Sequence, residues 1–420
     1  MTTVIDKIVL TEDQQKAMDA FNLFLIDPIE TVFVLGGYSG TGKSTLVQSM
    51  IERLPNFMRT ARLVNPSQQE YEVVLTATTN KAAENLARIT GMPVATIHSF
   101  LGLRVSTDYK TMVTTLVPKK RDDTREGFLL FIDEASFIDG PMLQWIFKIA
   151  KNCKIVFMGD PAQLTQVKAT STPVFNSKFT GAQLTQVVRQ AAGNPILDLA
   201  TKFRHTVNTG EFFSFKPDGK HVIHLSRAEF SKAIEAEFTR PGWKYMDSKI
   251  LAWTNKCVIG YNHFVRNLVK GDPNFQVGDY AVCNSFLSIG KESLKTDQLV
   301  EITNISGDFE KHGVLGNNFT LDGSLITFMP KTLASRNARI NAARKADDIH
   351  IVADIENTWV DLRGAAACTV NKAQGSTHDR VYIDLDDISR CNSGEQIARM
   401  LYVAVSRARD QVFLTGDLVS

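Results

Sequence analysis

The 420-residue sequence has no run of apolar residues approaching membrane-spanning length. Its opening stretch, MTTVIDKIVLTEDQQ, lacks the apolar centre of a secretory signal. Membrane insertion and export are therefore not expected, and a cytosolic location is. Cysteine is scarce. The five (Cys153, Cys257, Cys283, Cys368 and Cys391) are scattered, odd in number and form no C-x-x-C pair, which excludes a disulfide framework and argues against structural zinc. An excess of one charge is also missing: Lys+Arg number 47 against 45 Asp+Glu, for a net charge of +2. That rules out a uniformly basic nucleic-acid coat but leaves room for a local basic groove. No low-complexity tract or short repeat stands out. What is present is the composition of a soluble globular protein, 44% hydrophobic and 22% charged. The length exceeds one ordinary core, so about two to four domains are expected.

From about residue 31 to 160, apolar strand-like runs alternate with helical patterns. The runs are TVFVLGG, EVVLTAT (72–78), GFLLFID (127–133) and KIVFMGD (154–160), with helices such as NKAAENLARI (80–89) between them. This alternation predicts an α/β fold whose parallel sheet carries helices on both faces. A second α/β pattern follows later. It runs from SKILAWT (248–254) and the helical NKCVIGYNHFVRNLV, through RVYIDL (380–385) and a helix around 394–407, to QVFLTGD (411–417). Between these halves, QVGDYAVC, QLVEITNIS, NNFTLDGSLITF and DIHIVADI read as short alternating strands of a β-rich insertion at 276–364. Residues 104–127 hold two β-prone runs around a charged turn and predict a protruding hairpin. The run KTLASRNARINAARK (331–345) predicts a basic helix, either a solvated face or a DNA contact.

Chemistry enters at GGYSGTGKST, residues 36–45, which follows a strand and opens a helix. It fits G-x-x-x-x-G-K-[ST] through Gly37, Gly42, Lys43 and Ser44, with Gly40, Thr41 and Thr45 completing the turn. Backbone N–H groups of such a turn wrap a triphosphate, the lysine reaches its outer phosphates and the serine hydroxyl holds Mg²⁺. In FLLFIDEAS, Asp133 ends a buried strand and can hold Mg²⁺ through water, while Glu134 can orient or deprotonate an attacking water. The pair predicts an Mg-ATP hydrolase. Gln163, in GDPAQLTQV, can donate to a γ-phosphate and accept from that water. Arg189 (QLTQVVRQ) and Arg407 and Arg409 (LYVAVSRARDQ) are candidates for a cation acting on the transferring phosphoryl group, an effect worth roughly 10³–10⁵ in rate.

Taken in order, these stretches resemble superfamily 1 helicases, in particular the RecD-like branch that includes the phage Dda helicase. LTEDQQKAMD resembles the family's adenine-reading segment, with Gln14 at its key position. TATTNKAAENL, TIHSF, ILAWTNKCV and TVNKAQGST resemble its strand-contacting segments. The resemblance covers nearly the whole chain. It implies two RecA-like domains, the first at 1–175 with the 104–127 hairpin as a strand-separating pin. The second then spans 176–275 and 365–420, interrupted by a small SH3-like insertion at 276–364. It implies Arg189, Gln374 and Arg407 as catalytic partners of the first domain's residues. It also implies DNA contacts from Thr78, Thr79, Asn80, His98, Ser99, Thr254, Asn255, Thr369, Asn371, Ser376 and Thr377. Many relatives carry histidine at the positions of Asn80 and Asn371. Asparagine keeps the hydrogen-bonding capacity but not the aromatic face, a stacking contact worth ~1–3 kcal/mol per base.

The function so implied is ATP-dependent DNA unwinding by a monomer on single-stranded DNA and single-strand/duplex junctions, moving 5′-to-3′. ATP and Mg²⁺ are its cofactors, and replication or recombination proteins its possible company. A 3′-to-5′ or RNA-directed translocase, or a switch that binds DNA without unwinding it, remains the alternative.

Overall fold

A computed structural model describes residues 9–108, 113–119, 124–164, 172–186, 194–272, 274–290 and 292–418. The chain divides into two units, residues 1–104 with 116–211 and residues 105–115 with 212–420.

The first unit is built on six parallel strands: β1 (Val32–Gly37), β2 (Glu72–Ala77), β3 (Val94–Thr96), β4 (Phe128–Asp133), β5 (Lys154–Gly159) and β6 (Thr180–Leu184), in the order β6-β1-β5-β4-β2-β3. The period-2 rule splits their side chains between two cores. Phe33, Leu35, Leu129, Phe131, Val156 and Met158 face one, while Val32, Leu130, Ile132, Ile155 and Phe157 face the other. Strands apolar on both faces need cover on both, which explains the near-continuous apolar runs in the sequence. Helix α1 (Glu12–Ile26) starts at a capping box in which Thr11 and Gln14 bond reciprocally, and it buries Ala17, Met18, Phe21, Phe24 and Leu25 on the first core. Its far end is closed by Lys154, whose ammonium donates to the Phe24, Asp27 and Glu30 carbonyls. Helices α2 (Lys43–Val64), α3 (Asn80–Thr90) and α4 (Pro195–Thr209) complete the parts that matter below.

The second unit carries five parallel strands: β7 (Val222–Leu225), β8 (Ser248–Ala252), β9 (Ala367–Thr369), β10 (His378–Asp384) and β11 (Ala408–Thr415), in the order β7-β11-β10-β8-β9. Helices α5 (Arg227–Phe238), α6 (Asn255–Lys270) and α7 (Gly394–Val405) accompany them. Between α6 and β9 an antiparallel sheet forms from Tyr280–Cys283, Leu299–Ile305, Phe309–Lys311, Val314–Leu321, Leu325–Pro330 and Leu362–Arg363. It has its own core of Ala281, Cys283, Val300, Ile302, Phe319 and Leu321.

Two expectations are corrected. The described residues 176–186 and 194–211 do not belong to the second domain. β6 pairs with β1 in the first sheet, Phe33 opposite Thr180 through Gly37 opposite Leu184, and α4 also lies in the first unit. The domain boundary moves from 175 to 211. The second correction is DIHIVADI, which is no strand but part of a helix, Ile349–Thr358, capped by the Asp348 side chain. The alternation of Ile349, Ile351 and Ala353 imitates a strand. The buried pair Val352 and Ile355 is spaced for a helix and packs on Ile340 and Ala343 of the preceding helix, Leu333–Lys345. Around 104–127, Leu103–Asp108 and Val113–Pro118 pair as a two-stranded sheet. The turn between them lies outside the described residues.

Candidate functional site

In the first unit the phosphate loop leaves β1 and enters α2. Gly40 and Gly42 take φ of 82° and 77°, a region where a side chain is strained. At Gly37 a Cβ would stand 2.9 Å from the Thr41 hydroxyl and 3.0 Å from Leu184, so only glycine lets the loop pass. The Tyr38 carbonyl is the hub. It accepts from the Thr41 N–H (3.3 Å), the Thr41 hydroxyl (2.8 Å) and Lys43 Nζ (3.1 Å). Lys43 Nζ also donates to the Gly37 carbonyl at 2.5 Å. The lysine thus rests on its own loop, where an incoming phosphate competes with two carbonyls. Ser44 and Thr45 occupy the first turn of α2, whose unpaired N–H groups favour an anion. Gln14 reaches the same loop: its amide nitrogen donates to the Thr41 carbonyl (3.1 Å), and its oxygen accepts from the Thr11 N–H (3.0 Å). An amide side chain has two N–H donors and two oxygen lone pairs, so these two bonds use half of its capacity.

Asp133 ends β4. Burial pushes its pKa up, against the lowering effects of the Glu134 N–H bonded to it at 2.8 Å and the Lys43 charge. A carboxylate so poorly solvated gains from a cation. Glu134 follows with φ 54°, a left-handed conformation rare outside glycine and costing about 1–3 kcal/mol. Its carbonyl accepts the Thr78 hydroxyl (3.1 Å), and the Thr78 N–H donates to the Asp133 carbonyl (3.1 Å), so the second and fourth strands share one turn. Gln163 lies buried just past β5, its amide bonded to Asp160 Oδ2 at 3.3 Å. Gln14, Lys43, Ser44, Asp133, Glu134 and Gln163 therefore gather around the carboxyl ends of β1, β4 and β5, the usual ligand edge of an open α/β sheet. Arg189 lies outside the described residues.

The second unit assembles its own cluster. Arg407 is buried, with Nε on the Val403 carbonyl (3.1 Å), one Nη on the Ser376 carbonyl (3.1 Å) and the other on the Ser406 hydroxyl (2.7 Å). Buried Gln374 and Ser376 lie in the adjoining turn. Arg409, by contrast, is exposed and paired with Asp379 at 3.1 Å.

The candidate strand-contacting residues share a local design. Thr79, Thr254 and Thr369, and Thr96 just before His98 and Ser99, are each the N-cap of a helix, their side chains accepting from the Ala82, Cys257, Lys372 and Ser99 N–H groups respectively. Asn80, Asn255 and Asn371 are the first or second residues of those helices, so threonine, not asparagine, does the capping. His98 and Ser99 sit in the short helix Ile97–Phe100. Burial lowers the His98 pKa, keeping the ring neutral at pH 7.

Three supporting residues escaped sequence reading. Asp13 accepts from the Thr185 N–H, the Thr185 hydroxyl and the Gln186 N–H at 2.6–3.1 Å, tying α1 to the end of β6. Asp387 accepts from the Trp253 and Thr254 N–H groups and the Thr254 hydroxyl at 2.7–2.8 Å. Asn262 bonds both the N–H and the carbonyl of Ala367 at the start of β9. Each partner is far away in sequence, and no local pattern announces it.

Comparison with known proteins follows the same outline. A family model described as an AAA domain matches residues 9–221, and one described as a UvrD-like helicase C-terminal domain matches 364–415. The chain is 24% identical to the ATP-dependent DNA helicase dda of Enterobacteria phage T4, over 96% of this chain and 98% of that protein. It is 26% identical to the ATP-dependent RecD2 DNA helicase of Deinococcus radiodurans, over 91% of this chain but 47% of the relative. Among solved structures, a Pif1 helicase studied at forked duplex DNA matches with a TM-score of 0.53 at 16% identity, covering 98% of this chain and 93% of that one. Bacteroides Pif1 with ADP-AlF3 and single-stranded DNA matches at 0.51 and 16%, covering 98% and 94%. At that identity the structural likeness speaks for the fold.

Proposed function

The chain belongs to the AAA-domain family and is a superfamily 1 helicase of the RecD, Pif1 and Dda type, and from that premise we propose that it hydrolyses ATP to move 5′-to-3′ along single-stranded DNA and separate duplex strands. The observation that carries the reading is the convergence of Lys43, Asp133 and Gln163 at the ends of neighbouring parallel strands β1, β4 and β5.

The loop N–H groups and Lys43 bind the phosphates, with Lys43 exchanging the Gly37 and Tyr38 carbonyls for phosphate oxygens. Asp133 and the Ser44 hydroxyl fit an Mg²⁺ ion, since a buried carboxylate whose charged form is disfavoured is stabilised by a divalent neighbour. Bound there, the ion would neutralise charge on the β- and γ-phosphates. Glu134 orients and deprotonates the attacking water, and Gln163 hydrogen-bonds it. Arg189, Gln374 and Arg407 act on the transferring phosphoryl group. Thr78, Thr79, Asn80, His98 and Ser99 in the first unit, with Thr254, Asn255, Thr369, Asn371, Ser376 and Thr377 in the second, grip the strand through hydroxyls, amides and helix-end N–H groups. ATP-dependent change in that grip makes stepping directional. The hairpin at 104–127 serves as the pin that parts the duplex.

The test is unwinding of partial duplexes with either a 5′ or a 3′ single-stranded tail. ATP-dependent strand release from the 5′-tailed substrate is expected. Release from only the 3′-tailed one overturns the polarity, and release from neither, with ATPase intact, supports a DNA-bound switch.

A further inference from the structure

The Arg204 guanidinium, on α4, lies over the Tyr38 ring with its central carbon 3.8 Å from the ring centroid. Tyr38 is the residue whose carbonyl holds the Thr41 N–H, the Thr41 hydroxyl and Lys43 Nζ. A stacked side chain and a carbonyl bonded three times leave the peptide after Tyr38 little freedom. Three residues further along the loop, Gln14 of α1 holds the Thr41 carbonyl. Two helices outside the loop thus fix it at adjacent points. Helix α4 is itself well anchored, burying Ile196, Leu199, Ala200, Phe203 and Thr206.

We propose that Arg204 is a positioning residue for the nucleotide: by stacking on Tyr38 it preorganises the phosphate loop before the triphosphate arrives. The proposal rests on the reading of residues 36–45 as an ATP site. A glycine-rich turn is floppy by composition, and binding must otherwise immobilise it at an entropic cost. A planar guanidinium on an aromatic face supplies rigidity from outside without occupying the phosphate position. An isolated surface stack would not reach the site. This one does, because the clamped ring and the hub carbonyl belong to one residue. Helix α4 is also the last helix of the first unit, ending at Thr209 with Gly210 as its C-cap, just before that unit's boundary at Glu211.

The experiment measures Mg-ADP affinity with a fluorescent ADP, and steady-state ATPase, for wild type, Arg204→Gln, Tyr38→Leu and the double variant. Each single change is expected to weaken ADP binding and raise KM for ATP about fivefold, from a desolvated cation–π contact of ~1 kcal/mol, with kcat at saturating ATP retained within about twofold. The double variant should lose no more than either single one. Tyr38→Phe, which keeps the face, should recover most of the affinity that Tyr38→Leu loses, and Arg204→Lys should fall between wild type and Arg204→Gln. Unchanged affinity in Arg204→Gln, or multiplying losses in the double variant, overturns the proposal. So does an Arg204→Gln affinity loss that is accompanied by a large fall in that variant's own nucleotide-free melting temperature. If wild type itself binds no nucleotide, the ATP reading fails first and takes this one with it.

Discussion

Lys43 shows how a single residue can be stored for use. Its ammonium is not waiting in solvent; it donates to the Gly37 and Tyr38 carbonyls of its own loop. The side chain is only partly buried, so removing it should leave the fold nearly untouched and remove the charge that meets the outer phosphates. Lys43→Ala is expected to slow ATP hydrolysis by at least about 10²-fold, the scale of losing one preorganised donor at a reacting oxyanion. Nucleotide-free binding to an oligothymidine strand should stay within about twofold. A coupled-enzyme ATPase assay beside a fluorescence-anisotropy titration checks both, and near-normal turnover would remove Lys43 from the mechanism. Glu134 makes the complementary point. Its φ of 54° is strain held in place by the Asp133 side chain and the Thr78 hydroxyl, at the residue assigned to the attacking water.

At the scale of elements, the second unit is fastened by charge as well as by its core. Arg227 at the start of α5 forks onto both Asp384 oxygens (2.7 and 2.8 Å) at the end of β10, and onto Asp386 beside it. The Tyr261 hydroxyl of α6 donates to Asp384 as well, at 2.7 Å. Burial alone would raise the Asp384 pKa, but the Arg227 and Tyr261 bonds outweigh it and hold the group below the ordinary carboxylate value. A depressed folded value means that this stabilisation is complete above the unfolded pKa of ~3.9 and disappears as pH falls through the lower folded value. Arg227→Ala should therefore cost about 1–3 kcal/mol at pH 7, less than for a fully buried pair because the guanidinium is half exposed. It should also move the acid-unfolding midpoint upward. Circular dichroism of urea and acid titrations reads both; an unchanged acid midpoint would show that Tyr261 suffices. None of this network was legible in the sequence, because Arg227 and Asp384 are remote in the chain. The strands were legible, since burial on both faces forces unbroken apolar runs. The candidate residues Gly37, Lys43 and Asp133 could be picked out in the sequence because each lies in or beside a short contiguous motif at a strand end. β6 was misassigned because Thr180–Leu184, TGAQL, is a half-exposed edge strand with little apolar signal, and Ile349–Thr358 because a two-residue alternation in a short helix mimics a strand.

For the whole molecule, the near-cancellation of 47 basic and 45 acidic residues constrains how DNA is held. A protein that grips phosphates with lysine and arginine releases counterions, and its affinity then falls steeply with salt, by about −0.7 in log–log slope per neutralised phosphate on a single strand. The residues assigned to the strand here are threonines, serines, asparagines and one histidine whose ring is neutral at pH 7. Three of these threonines, Thr79, Thr254 and Thr369, cap helix N-termini, whose positive end is a partial charge rather than a full one. Hydrogen bonds from neutral groups fix the backbone without displacing counterions. Affinity for an oligothymidine strand, measured by anisotropy from about 50 to 200 mM KCl, should therefore fall with a slope no steeper than about −2, the equivalent of roughly three neutralised phosphates. A slope near −5 would mean that a cluster of lysines and arginines carries the binding, with the hydroxyl and amide groups secondary. The basic helix Leu333–Lys345 would then be the first place to look, and neutralising Arg339 and Lys345 should flatten the slope by about 1–2. With the shallow slope, the same changes should leave it unmoved, because strand contact then runs through helix ends that carry no net charge.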